Sequence, residues 1–234
     1  CACGLALPGA AASAPPDDAA RTSVLGRSAE GRPILLTRVG PDRAARRVLV
    51  VGAIHGNEPA GIAVVRALRR AAPPAGVQLW LVHDLNPDGT ARGTRQNARG
   101  VDLNRNFPHR WRAQGRPFST YHSGPRPLSE PESRLAARLI RRLAPSATIW
   151  YHQALALVDL GSGADARLVG RYARASGLPA RRLGFLPGVA TRWQNRALGG
   201  PGRGAFVVEL PGGALSRAGV RRHARAVAAV AAVA

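Results

Sequence analysis

The stretch VLVVGAIHGNEPAGIAVVRALRR, Val48 to Arg70, sets the fold class. Four aliphatic residues in a row, Val48 to Val51, closed by Gly52, predict a buried strand. Pro59 sits where a helix would start, and Ile62, Val65 and Leu68 form an apolar stripe running down to Arg70. Between strand and helix stand His55 and Glu58, three apart on a turn, so both side chains can face one point. Gly56 permits a tight backbone there, and Asn57 can hydrogen-bond within the turn. Alone, this H-x-x-E also reads as a turn with a capping carboxylate, so its meaning rests on what the rest of the chain supplies.

The same alternation continues outward. Ile34–Val39 and Val77–Leu85 read as strands, the second closed by the turn sequence Asn86-Pro87-Asp88-Gly89. Thr90–Leu128 has little periodicity and much Gly, Pro and Arg, and reads as a long functional loop. Ser129 and Glu132 form a capping box around Pro131, ahead of a helix carrying Leu135, Leu139 and Leu143. Thr148–Tyr151 reads as a short strand with His152 at its end. Ala164–Ala175 reads as a helix, Gly177–Gly204 as mostly loop, Ala205–Leu210 as a strand, and Ser216 as the cap of a terminal helix through Val227 and Val230. Strands alternating with helices imply an α/β fold with a mainly parallel sheet covered on both faces. Ligands of such folds bind beyond the carboxyl ends of the strands. His55, His152 and the turn after Leu85 all fall at such ends, so the motifs should converge on one rim.

With 234 residues the chain is one domain, residues 22–234, preceded by a tail and linker over 1–21. The 34 basic residues against 13 acidic ones give a formal charge of +21, all of the positive charge being arginine. Such a charge attracts anions. Nucleic acid is not the expected partner, because no nucleic-acid motif or interleaving of aromatic and basic residues is present. Both cysteines, Cys1 and Cys3, lie in the tail, so the domain has neither a disulfide nor a cysteine metal ligand. No apolar run approaches the roughly 18–20 residues needed to span a bilayer. CACGLALPGAAASA, ending in Ala12-Ser13-Ala14, reads as the remnant of a secretory signal, or with Cys1 or Cys3 as the acylated cysteine of a lipoprotein, or as a plain alanine-rich tail. Export, and hence an extracytoplasmic location, is the expectation.

Four motifs carry the chemistry. HGNE and WYH supply two imidazoles and a carboxylate, His55, Glu58 and His152, a three-ligand set that leaves Zn2+ a fourth position. FVVELP places Glu209 near the end of an apolar strand, available as a general base. VDLNRNFP offers Asn104 and Arg105, an amide and a fixed cation suited to a substrate carboxylate. Acidic residues are few here, so glutamates inside such motifs are informative.

This order of motifs resembles the zinc carboxypeptidase family. The likeness runs from Gly26-Arg27-Ser28 to Glu209-Leu210-Pro211, and NPDG, VDLNRNFP, GPRPLSEPES and ELP are most similar to its bacterial murein peptide amidase branch. The resemblance implies a carboxypeptidase-like three-layer sandwich, with a mixed, mostly parallel sheet of about eight strands. It implies one zinc held by His55, Glu58 and His152, Glu209 as general base, Arg95 of GTRQN polarising the scissile carbonyl, and Asn104 and Arg105 binding a free C-terminal carboxylate. It further implies a peptide substrate drawn from cell-wall peptides, cleaved at a γ-D-glutamyl–diaminopimelate bond. Digestive members carry a mobile tyrosine upstream of the catalytic glutamate. The loop Gly184–Gly204 here contains none, and Ala154 stands where relatives often have proline.

Diaminopimelate carries a second carboxylate and a second amine. Asp159 is the expected partner of the distal amine, with turn capping as the alternative, and Arg192 or Arg203 that of the distal carboxylate. Two competing functions are an N-acyl amino acid deacylase of the aspartoacylase type, which shares HGNE-like and DLNR-like motifs, and a non-catalytic peptidoglycan-binding protein. The intact ligand and base positions argue against the latter.

Overall fold

The structure is a computed structural model that describes residues 20–234; the proposed signal or lipid-anchor tail lies outside the described residues. Seven strands form one sheet: β1 (Arg21–Arg27), β2 (Pro33–Val39), β3 (Arg46–Val51), β4 (Val77–Val82), β5 (Ala147–Asp159), β6 (Ala180–Arg181) and β7 (Gly204–Pro211). Their order is β1-β2-β4-β3-β5-β6, with β7 also pairing β5. β1, β2 and β4 pair antiparallel, whereas β3 runs parallel to both β4 and β5, and β7 parallel to β5.

Period-2 alternation in the central strands builds two cores. Val48 and Val50 of β3, with Ile149 and Tyr151 of β5 and Phe206 and Val208 of β7, face helices α1 (Ala60–Leu68), α4 (Ala166–Ser176) and α6 (Arg217–Ala231). Leu49 and Val51, with Trp150, Ala205 and Val207, face α3 (Pro131–Leu143) and α5 (Ala190–Leu198). This is the α/β sandwich expected. His152 and Glu209 fall on the parity of the second face, next to Trp150 and Val207, and stand opposite each other in the β5–β7 register.

Several local expectations change. β1 begins at Arg21 and is mostly exposed, so it shows no buried alternation to read. Asn86-Pro87-Asp88-Gly89 is a short helix, α2 (Pro87–Arg92), rather than a turn. The Asn86 side-chain Oδ1 accepts from Gly89 N at 3.0 Å, and Asn followed by Pro opens a helix as readily as a turn. The capping box at α3 does not form, for the cap position is Glu130, without a side-chain cap bond. Ser129 donates instead to the Glu130 carboxylate at 2.7 Å, and Glu132 accepts from Ala29 N at 2.8 Å. Gly177–Gly204 contains α5, whose start at Val189 has no side-chain cap and whose Trp193 is buried only by the tertiary core.

β5 is thirteen residues long, so His152 lies within it rather than at its end. Its pairing with β3 nevertheless stops at Trp150, and the register with β7 breaks after Ala154, after which Leu157 and Val158 return against Glu209 and Val208. The sheet therefore has its rim at His152 even though the strand continues, and this long two-armed strand stands where about eight strands were expected. Among the described residues, no helix is long and apolar enough to cross a membrane.

Candidate active site

HGNE turns at the carboxyl end of β3. A Cβ on Gly56 would lie 1.9 Å from the Gly89 carbonyl carbon, so only glycine lets this turn press against α2. His55, Glu58 and His152 are all buried, and their ligand atoms lie within 4.8 Å of one another. His55 Nδ1 and His152 Nδ1 both stand close to Glu58 Oε2, at 3.0 and 2.8 Å, and 3.1 Å from each other. Two ring nitrogens aimed at one carboxylate oxygen form a donor set shaped for a cation, since tetrahedral zinc at 2.0–2.1 Å spaces its ligand atoms roughly 3.3 Å apart. The residues fit zinc.

Asp102 carries no local signal of its own in the sequence, although it sits inside VDLNRNFP. Fully buried, it lies 3.0 Å from His55 Nε2 and accepts a 3.0 Å bond from Arg95 Nε. Holding the His55 Nε2 proton leaves Nδ1 as the metal-facing lone pair. Arg95 also donates from Nη1 to Glu58 Oε1 at 2.9 Å. Burial pushes the Glu58 and Asp102 carboxyls up, but hydrogen bonds from His152 and His55 to Glu58, and the charge and hydrogen bond of His55 at Asp102, hold both well below the usual carboxylate range. Burial holds His152 down, toward the neutral imidazole that a metal requires.

Glu209 lies at the end of β7, and its Oε2 is buried with no hydrogen-bond partner among the described residues. Burial pushes its carboxyl up to about 7, and the nearby Glu58 charge adds to this. The protonated form is thus favoured in the fold: the group costs nothing below the ordinary value of 4.5, and its cost is complete above about 7. Discounted for partial exposure, that cost is about 1–2 kcal/mol. Metal-free Glu209→Gln should therefore gain about this much in urea unfolding at pH 8 and nothing at pH 4. Equal gains at both pH values would remove the titration as the cause.

Asn104 and Arg105 occupy a 3-10 turn, Leu103–Arg105, capped by Asp102. Asn104 Oδ1 accepts from Ala190 N at 3.0 Å, tying the turn to α5 and leaving the amide nitrogen beside His152. Arg105 is 3% exposed; its Nη1 donates to Asn104 O at 2.7 Å, while Nε is buried without a partner. The Nε–Nη2 edge is left for a bidentate carboxylate.

One cavity of about 450 Å³ is lined by Glu58, His152, Glu209, Arg95, Asn104 and Arg105. Asp159 and Arg192 line it too, with Tyr121, Leu155, Phe185 and Leu186. Asp159 acts as the cap of a 3-10 turn, Oδ1 accepting from Gly161 N at 2.6 Å and Leu183 N at 2.9 Å. Arg192 stacks over Phe185 at 4.7 Å. Arg203 does not reach the cavity. It donates to Ala144 O and Pro145 O, at the amino end of β5 and so at the opposite edge of the sheet.

Fold and site together define an α/β protein with a buried donor set that fits one zinc, a raised carboxylate in the same cavity and a buried arginine whose Nε has no partner. The chain belongs to the zinc carboxypeptidase family, whose profile matches residues 10–72 and 75–175. It is 32% identical over 149 residues to murein peptide amidase A of Escherichia coli (strain K12), covering 59% of this chain and 61% of that protein. Against murein peptide amidase A of Vibrio campbellii (strain ATCC BAA-1116) it is 30% identical over 145 residues, covering 57% and 58%. The matched stretch thus spans less than two thirds of either relative. Among solved structures, murein-tripeptide amidase from Escherichia coli O157 superposes with a TM-score of 0.71 at 26% identity, over 88% of this chain and 91% of that one. Carboxypeptidase A from Helicoverpa armigera gives a TM-score of 0.74 at 20% identity, over 92% and 70%, a likeness of fold.

Proposed function

We propose that this chain is a zinc peptidase that hydrolyses the bond before a C-terminal residue carrying a free carboxylate, with murein peptides as the substrate class and γ-D-glutamyl–diaminopimelate as the bond. The observation that carries the reading is the shared cavity of His152, Glu58, Glu209 and Arg105. His55, Glu58 and His152 would hold the zinc, which when bound would supply Lewis acidity and lower the pKa of water at the site.

The protein's own groups do the rest. Arg105, with the Asn104 amide, seats the terminal carboxylate through its open Nε–Nη2 edge. Arg95, its Nε and Nη1 fixed by Asp102 and Glu58, presents its remaining nitrogen to the carbonyl oxygen as charge develops there. Glu209, unpaired at Oε2, takes a proton from the attacking water and returns it to the departing amine. Similarity to murein peptide amidases supports the substrate class, and an extracytoplasmic location goes with such a substrate.

For the distal end of diaminopimelate, Arg192 is the cavity cation for the second carboxylate and Asp159 the anion for the second amine. The test is product analysis by mass spectrometry with a γ-D-glutamyl-diaminopimelate peptide, its lysine counterpart and an N-acyl-aspartate. The diaminopimelate peptide should be cleaved fastest, and Arg192→Ala should reduce its preference over lysine by about tenfold, as expected for losing a charge-assisted bond. Asp159→Asn should erode it less, since Oδ1 is already committed to capping. Turnover of N-acyl-aspartate alone would overturn the peptidase reading in favour of the deacylase.

A further inference from the structure

The loop between the carboxylate-binding turn and α3 places one aromatic where sequence spacing offered none. Tyr121 lines the cavity with its side chain 46% exposed. Its ring centre lies 4.7 Å from the Arg105 guanidinium carbon and 5.9 Å from that of Arg95. The segment that carries it is pinned on both sides to the site. Gln96 Nε2, next to Arg95, donates to Phe118 O and Ser119 O at 3.2 and 2.9 Å. The backbone N of Asp102, whose side chain meets His55, donates to His122 O at 2.8 Å. An aromatic held this firmly yet left half in solvent is not there to fill a core. Arg105 meanwhile has little else to hold it: one bond to Asn104 O, and a buried Nε without a partner.

We infer that Tyr121 completes the carboxylate subsite: its ring holds the Arg105 guanidinium in plane and its hydroxyl donates a second hydrogen bond to the terminal carboxylate. The inference rests on the reading of Arg105 as the carboxylate binder. Gly184–Gly204 has no tyrosine, and Tyr121 brings a phenol into the same cavity from another loop. Phe185 and Leu186 of Gly184–Gly204 also line the cavity and carry no hydroxyl. The hydroxyl lies near enough to Arg105 to favour its protonated form, against the burial that pulls it down. Closure here needs no large loop movement, since the anchors at Gln96 and Asp102 already fix the segment.

The experiment uses zinc-loaded protein in the Glu209→Gln background, so that binding is read at equilibrium by calorimetry. The probes are the γ-D-glutamyl-diaminopimelate peptide with its terminal carboxylate free or amidated, and the quantity read is the ratio of their affinities. Tyr121→Phe, which keeps the ring, should lower the preference for the free acid about tenfold, the effect of losing one hydrogen bond to a charged group. Tyr121→Ala should lower it by about a further threefold through loss of the cation–π contact. Arg105→Ala should abolish it. If Arg105→Ala abolishes the preference and both Tyr121 variants keep it in full, Tyr121 is not part of the subsite while the reading of Arg105 stands. If Arg105→Ala keeps the preference, the carboxylate reading itself fails, and the inference with it. A full ratio in Tyr121→Phe with loss only in Tyr121→Ala overturns the hydrogen bond and reduces the role to packing.

Discussion

Glu209→Gln should keep zinc and lose turnover by at least the roughly 10²–10⁴-fold typical of a general acid–base group. The amide matches the carboxylate in shape and can still hydrogen-bond, but it cannot accept a proton from water. The carboxylates at the donor set are already committed. Glu58 belongs to the donor set and Asp102 is committed to His55 and Arg95. Steady-state kinetics with zinc content measured on the same samples would check this, and near-wild-type turnover at full zinc would move the base role to another residue. The wild-type pH profile carries a linked expectation. Burial lifts the Glu209 carboxyl to about 7 in the metal-free fold, and a bound dication nearby favours the carboxylate. The acid limb of kcat/KM should therefore lie below that value in the loaded protein and vanish in the variant.

His152→Ala should empty the metal site and remove activity while leaving a folded domain. His152 contributes one of the three ligands brought together among the described residues, and it stands on β5 opposite Glu209. Changing a residue that merely orients a ligand typically costs 10–100-fold in metal affinity, which sets the scale for Asp102→Asn. Loss of a direct ligand should exceed it. Metal analysis after dialysis, with circular dichroism to confirm the fold, reads both variants. Full zinc in His152→Ala would take this residue out of the site.

Local physics made much of this protein legible in the sequence. Val48–Val51 flowing into His55-Gly56-Asn57-Glu58 and then a striped helix is a βα unit whatever surrounds it, because burial on both faces demands such a run. His55, Glu58, His152 and Glu209 were legible as candidates because acidic residues are scarce and each of the four lies in or just after an apolar run. Ser216 capped α6 as its sequence indicates, accepting from Gly219 N at 3.1 Å. Where local signals competed, they misled. Asn86-Pro87 suits a turn and a helix start equally, and Ser129 with Glu132 matches a capping box, yet both α3 side chains are drawn away by Glu130 and Ala29 N.

The sequence by itself determined the alternating α/β order, the two-faced core and the His55–Glu58 pair, which follow from periodicity and from residue types at short spacing, while His152 was marked out by the order of motifs along the chain. Only the tertiary structure decided what depends on contacts between segments far apart in the chain. It showed that Asp102 bridges His55 and Arg95, that Arg203 lies at the far edge of the sheet and that Asp159 spends one oxygen on a turn. It alone brought Tyr121 against Arg105, across a loop whose path no local propensity dictates. The lifted carboxyl of Glu209 is of the same kind. Burial and the charge of Glu58 shift it, and both exist only once β3, β5 and β7 have been laid side by side.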